Sequence, residues 1–205
     1  MKLKSPIHKT VDTISDQTIT LTRDDYGMHY TNCTIHFDED LKELDDMIFT
    51  KCTFDSNSYP IHLTDVTLNH CNMQNVAFEN VSFRRVHFNE TLMTGFTLNN
   101  VSLKDTHFEH CKMNLFNIAD SKFDAVHFDG IDGHDGYLYH IDTKQWQITA
   151  SQLNHINIVE TKLKDIDLSE CDIDGITVNA NDLAGCIVNS FQSTALIKLF
   201  GIHVK

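Results

Sequence analysis

Proline is nearly absent from this chain, two residues in 205, and glycine is sparse at eight. Loop-rich folds and β-sandwiches built on tight turns use more of both. Basic residues are also few, sixteen against twenty-nine acids, which leaves a net charge of −13 with histidines neutral. Direct nucleic-acid binding needs a basic face to neutralise phosphates, and docking on anionic lipid needs the same sign, so neither is expected. No apolar run approaches the ~20 residues of a bilayer span. The opening MKLKSPIHKT carries basic residues with no apolar stretch behind them, and no signal peptide is expected. No CxxC, GxSxG, GxxxxGKS/T or HExxH occurs, so zinc-ribbon, hydrolase, P-loop and zincin chemistry lack their residues. With 41% hydrophobic and 22% charged residues the chain is nevertheless globular rather than disordered.

What is present is a repeat. Every fifth residue from Leu63 to Val188 is large and apolar, except Gly133 and Thr143. The residue after each is nearly always polar, as at Asn69, Glu79, Asn89 and Asn99. Five residues advance a helix by about 500°, which smears any stripe around its axis. In a flat strand an odd step sends successive large residues to opposite faces. The pattern keeps one side buried only if the chain turns a corner every five residues. A smaller inward column lies two residues earlier and includes Val66, Cys71, Val76, Val81 and Val86; Phe96 and Phe116 break its size rule, twenty residues apart. Like residues also recur at twenty, as in Phe88, Phe108 and Phe128, or Met73, Met93 and Met113. Four corners per coil would stack such residues ~4.8 Å apart.

Segments such as VAFEN VSFRR VHFNE and TKLKD IDLSE CDIDG resemble the pentapeptide-repeat proteins. The resemblance implies an all-β solenoid, a right-handed quadrilateral β-helix with four pentapeptides per coil. In this reading 1–29 is an N-terminal segment, 30–190 the β-helix and 191–205 a C-terminal helix and strand. Interruptions are expected near 55–60 (DSNSYP) and 129–146 (DGIDGHDGYLYHIDTKQW). The second reads as an extruded loop, because it puts Gly133 and Thr143 at core positions and adds Gly130 and Gly136. The tail DLAGCIVNSFQSTALIKLFGIHV resembles the end of the Qnr-type quinolone-resistance proteins and their Gram-positive chromosomal relatives. That likeness implies a homodimer formed through a short helix. Ser190 is the expected N-cap, and Phe191, Leu196, Leu199, Phe200, Ile202 and Val204 are the expected interface.

Arg84, Arg85, Lys104 and Lys122 fall on one outer face, expected to continue through Lys144, Lys162 and Lys164, which leaves the acid surplus elsewhere. His87, His107 and His127 stack on the adjacent face and read as a solvated polar ladder. The six cysteines occupy small inward positions, where free Cys behaves as a buried hydrophobe. Reduced thiols in such number point to a cytoplasmic protein. GIDGHDG lacks the ligand order of a calcium loop. No catalytic residue, metal or cofactor is expected, since a convex rod offers no pocket, and the protein reads as non-enzymatic. The resemblance implies DNA mimicry directed at a type II topoisomerase, DNA gyrase or topoisomerase IV, with protection from quinolones. The alternative is a structural or interaction scaffold with an unrelated partner. The candidate partner-binding loop comprises Asp129, Asp132, Asp135, Tyr137 and Tyr139.

Overall fold

A left-handed residue turns each corner of the coil. In the computed structural model, which describes residues 1–9, 12–197, 199 and 201, the backbone two residues after each large apolar position from Leu63 to Leu163 has φ between 46° and 70°, except at Gln145. Glycine takes this conformation freely, and Asn, Asp and His tolerate it best among the rest. The corners accordingly hold Asp65, His70, Asn75, Asn80 and Gly95, and even Leu115, Ala125 and Ala150 are held there, at roughly 1–2 kcal/mol each.

The chain winds into a quadrilateral parallel β-helix of about eight turns. The first face centres on Leu63, Phe83, Leu103 and Phe123, the second on Leu68, Phe88, Phe108 and Phe128. These two faces share one eight-stranded sheet, which runs in order through Asp12–Ser15, Met28–Thr31, Glu43–Thr50, His62–Asn69, Ser82–Asn89, Ser102–Glu109, Lys122–Asp129 and Asp142–Thr149. The third face carries Met73, Met93 and Met113, and the fourth Phe78, Leu98, Ile118 and Leu138. All of these apolar side chains are buried. The Phe88 and Phe108 rings stack at 4.8 Å and Phe128 meets Phe108 edge-on at 5.2 Å. Outward, Glu79 and Asn99 are exposed, while Asn69 and Asn89 are half-buried and bonded to each other at 3.3 Å.

Three boundaries differ from the sequence reading. The solenoid starts at Asp12 rather than 30, because Ile14, Ile19 and Leu21 already point inward. This early coil is short, pairing Asp12 with Met28, and a strict step of five does not detect it. The next coils pair residues nineteen apart, as Glu43 with His62 and Tyr59 with Phe78, and the missing residue is regained before His62, which pairs with the Ser82 coil at twenty. The third difference is a correction. Residues 129–146 are not extruded: Asp132 bridges Lys112 and Gln152, and Tyr137–Tyr139 pairs with Asn117–Ala119 and Asn157–Val159. The glycines there serve packing. The Phe116 ring occupies the space that side chains at 133 and 136 would fill; a Cβ on Gly133 would sit 3.1 Å from its Cε1, and one on Gly136 would overlap the ring edge. One coil on, Thr143 leaves room on the first face. Trp146 fills it, edge-on to Phe123 at 5.5 Å and to Phe128 at 5.7 Å, and the strand bulges beside Gln145.

Residues 1–9 form a strap along the corner between the first and second faces. The Ile7 amide donates to Asp65 Oδ1 at 2.9 Å and the Lys4 amide to Asp105 Oδ1 at 3.1 Å. His8 bonds Asp46 at 3.1 Å and Thr67 Oγ1 at 2.8 Å. Between the two carboxylates Arg85 makes a bidentate pair with Asp65. Burial opposes ionisation of Asp65, but the bonds from Arg85 and the Ile7 amide outweigh it and hold the pKa below the ordinary carboxylate value.

At the other end the helix Ser190–Ile197 lies over the last coil. Its cap is Asn189, not Ser190: Asn189 Oδ1 accepts from the amides of Phe191 and Gln192, both at 3.0 Å, and Gln192 Oε1 accepts from the Asn189 amide at 2.8 Å. This is a reciprocal capping box. The Gln192 Nε2 group is buried and donates to the carbonyls of Leu168 and Cys171, both at 2.7 Å.

Two measurements test this packing. Gly136→Ala should destabilise by ~1–3 kcal/mol in denaturant unfolding, with recovery when Phe116→Val is added; an unchanged midpoint for the single variant would place the ring elsewhere. Asp65→Asn should cost about 3 kcal/mol by stranding Arg85, and Asp65→Leu with Arg85→Met should recover much of it. Because the folded pKa lies below the unfolded one, the Asp65 contribution is complete above pH ~4 and is lost as pH falls below that value. Denaturation of wild type and Asp65→Asn should therefore converge in acid.

Candidate functional site

The outer surface sorts by charge. From Ile61 to Ala180 all but one of the Lys and Arg residues lie on the first face, and Asp residues interleave with them. Lys104 and Lys144 reach Asp124 at 3.6 and 3.3 Å, Lys162 reaches Asp182 at 2.8 Å, and Arg85 holds Asp65. The expected basic face therefore keeps a small positive excess, seven cations against five carboxylates, much of it ion-paired. The other three faces hold twelve carboxylates against Lys112 over the same span. These are Glu90, Glu109, Asp129, Asp167 and Glu170 on the second face; Asp132, Asp135, Asp172 and Asp174 on the third; and Glu79, Asp120 and Glu160 on the fourth.

The residues expected to share one partner-binding loop are divided between opposite sides. Asp129 lies on the second face and accepts from Thr149 Oγ1 at 2.7 Å. Asp132 and Asp135 lie on the third face and its far corner, and Asp132 bonds His134 at 2.6 Å. Tyr137 and Tyr139 flank Leu138 on the fourth face, their rings parallel at 6.3 Å. The five residues are thus spread over three successive faces, with Asp129 and the two tyrosines on opposite sides.

The expected dimer residues also divide. Phe191 is 87% exposed and Leu199 43%, with Ile187 nearby at 50%, whereas Leu196 is buried against the solenoid end. Phe200, Ile202 and Val204 lie outside the described residues.

The histidine ladder is more enclosed than the sequence suggests. The His87, His107 and His127 rings stack in parallel at 4.8 and 5.0 Å. His87 Nε2 bonds Glu109 Oε2 at 2.8 Å and His127 Nε2 bonds Thr149 Oγ1 at 2.8 Å. His107 Nε2 is buried without a hydrogen-bond partner. Burial, with His87 and His127 on either side, pulls the His107 pKa down to about 4, so this ring is neutral near pH 7. The strap runs beside the upper part of the ladder, with a cavity of about 80 Å3 between Leu3–Pro6, Asp105 and the His87 and His107 rings. A periodicity reading misses this, because the strap lies outside the repeat.

The cysteines are free and, apart from half-buried Cys186, buried. Burial pushes the Cys111 thiol up to about 12 and the Cys186 thiol up to about 11. Neither is a thiolate near pH 7, and Cys111 bonds the Phe88 and Glu109 carbonyls, both at 3.4 Å. No helix among the described residues is long and apolar enough to cross a membrane.

A family model for the pentapeptide repeat region matches residues 81–158, and one for pentapeptide repeats (8 copies) matches 61–100. No curated protein matches the sequence. Among solved structures, a trypsin-treated variant of QnrB1, described as a plasmid-mediated fluoroquinolone resistance protein, is 14% identical with a TM-score of 0.42, covering 97% of this chain and 99% of that one. HetL from the cyanobacterium Nostoc sp. strain PCC 7120, described as involved in heterocyst differentiation regulation, is 10% identical with a TM-score of 0.33 and 87% coverage of each chain. Both family matches fall within the stretch whose corners are left-handed and whose coils stack at twenty residues, and over residues 61–158 the chain carries the pentapeptide repeat.

Proposed function

We propose that this protein is a non-catalytic docking rod whose acidic sides mimic duplex DNA toward the basic DNA-binding surface of a type II topoisomerase, DNA gyrase or topoisomerase IV. The partition of charge carries the reading. Twelve carboxylates against Lys112 occupy three faces over six coils. At ~4.8 Å per coil that is about one negative charge per 2.4 Å of axis, near the ~1.7 Å of duplex DNA. The remaining cations are gathered on the first face, and four of the seven are ion-paired there, so a basic groove approaching the other three sides meets little like charge. Such complementarity speeds encounter and weakens with salt. The fluoroquinolone resistance by which QnrB1 is described selects the enzymes to test.

The test is a gyrase or topoisomerase IV assay with the protein titrated in, with and without ciprofloxacin. The expected result is a dose-dependent change in supercoiling or relief of drug inhibition, reduced by added salt. Neutralising the third face with Asp132→Asn, Asp135→Asn, Asp172→Asn and Asp174→Asn together should lower potency about tenfold or more. Lys104→Gln on the paired face should leave it unchanged. No effect on either enzyme at any ratio would overturn the reading and leave the scaffold alternative.

We infer in addition that a second copy of the chain covers the C-terminal end, where Ile187, Phe191 and Leu199 are each exposed. An apolar end of this kind suits a self-complementary two-fold contact. Light scattering should give about twice the 23.5 kDa chain mass, and Phe191→Glu should return the single-chain mass. A wild-type monomer at high micromolar concentration would refute the dimer.

A further inference from the structure

We propose that His87, His107 and Glu109, on the second face, form a binding site for one divalent transition-metal ion of the zinc class. The ligand atoms of these three residues all lie within 4.8 Å of one another. Imidazole and carboxylate together suit Zn(II) and its neighbours Co(II) and Cu(II), rather than the all-oxygen ions.

Two independent observations point to an ion rather than to a polar ladder in solvent. The first is His107 Nε2, a buried polar atom with no partner. Such atoms are costly to leave unsatisfied and call for an explanation. The second is charge placement. On the second, third and fourth faces from Ile61 onward, acids in adjacent coils are separated by a neutral or histidine rung, as in Asp132, Gln152, Asp172 or Asp120, His140, Glu160. The one exception is Glu109 directly paired with Asp129, and it flanks His107. Like charges opposed across strands are destabilising on their own; a cation between them and the histidines removes the repulsion.

The rings now stack in parallel, so binding must tilt them toward each other. Two nitrogens at ~2.1 Å from a tetrahedral ion are about 3.4 Å apart, closer than the present 4.8 Å ring spacing. Side-chain rotation supplies this without moving the backbone. Glu109 already touches His87 Nε2 at 2.8 Å and needs only to exchange that bond for one to the ion. A second triad, His107, His127 and Asp129, is also within reach. His107 belongs to both, so the ladder holds one ion, not two. The first triad is preferred because both His127 and Asp129 of the second are engaged by Thr149.

Zinc titration of the full-length protein, followed by calorimetry and elemental analysis after dialysis, should give one equivalent of retained ion. Copper(II) bound at the same site should show nitrogen hyperfine splitting from two imidazoles. His107→Gln and Glu109→Gln should each weaken zinc at least about tenfold, and His87→Gln should leave a single nitrogen in the copper spectrum. His127→Gln should bind as wild type does. Glu109 is partly exposed, so its variant keeps the test valid if His107→Gln folds poorly, and circular dichroism checks both. Absence of saturable binding, wild-type zinc affinity in His107→Gln and Glu109→Gln, or loss in His127→Gln with retention in His87→Gln would overturn the assignment.

Discussion

Parallel stacking at one coil per ~4.8 Å constrains every side chain in this molecule, because each residue lies directly over its counterpart in the next coil. The left-handed corners impose it. Inside, it favours like on like, since equal shapes fill equal cross-sections, and the phenylalanine ladder of the second face results. Outside, it penalises like on like when the residues are charged: two unit charges 4.8 Å apart repel by about 1 kcal/mol even in water. The surface answers this in two ways. On the first face, cations and acids are placed against each other, as Lys104 and Lys144 about Asp124. On the acidic sides, neutral rungs space the carboxylates two coils apart. A strongly acidic solenoid therefore exists without a continuous row of stacked charges, and Glu109 over Asp129 stands out as the departure.

Much of the architecture was legible because burial in a solenoid is periodic. The step of five located the inward residues from Leu63 onward, and recurrence at twenty located the four faces. The corner conformation was also written in the chain, in the Asn, Asp, His and Gly residues two places after most of the large ones, but a search for apolar periodicity passes over that column. The glycines of 130–136 were misread for a related reason. In isolation a run of glycines signals a turn, and its meaning here depends on Phe116, one coil away in space and twenty residues away in sequence. The shortened N-terminal coils escaped because the step itself changes there.

The candidate surfaces were less legible than the fold. Residues close in sequence were grouped as one loop, yet a quarter of a coil carries the chain onto a new side, which separates Asp129 from Tyr137 and Tyr139. The helix residues were grouped by apolar character, yet Leu196 faces the solenoid and Phe191 faces away. The enclosure of His107 depends on the strap, whose anchors Asp46, Asp65 and Asp105 lie far from it along the chain. A reading that proceeds by local pattern has no access to such contacts.

The strap also changes how the solenoid holds together. In a stack of coils each layer feels only its neighbours, so the ends can fray or the middle can part without involving the rest. Residues 4 to 8 bond to Asp46, Asp65 and Asp105, which belong to separate coils. A break between any of those layers must also pull the strap from one of its anchors, so the central coils open as a unit rather than layer by layer. Its sequence distances fix an order of events as well. Lys4 finds its partner 101 residues downstream, so during synthesis the first residues to emerge must wait for the middle coils before they can settle, and closing the strap comes late in folding.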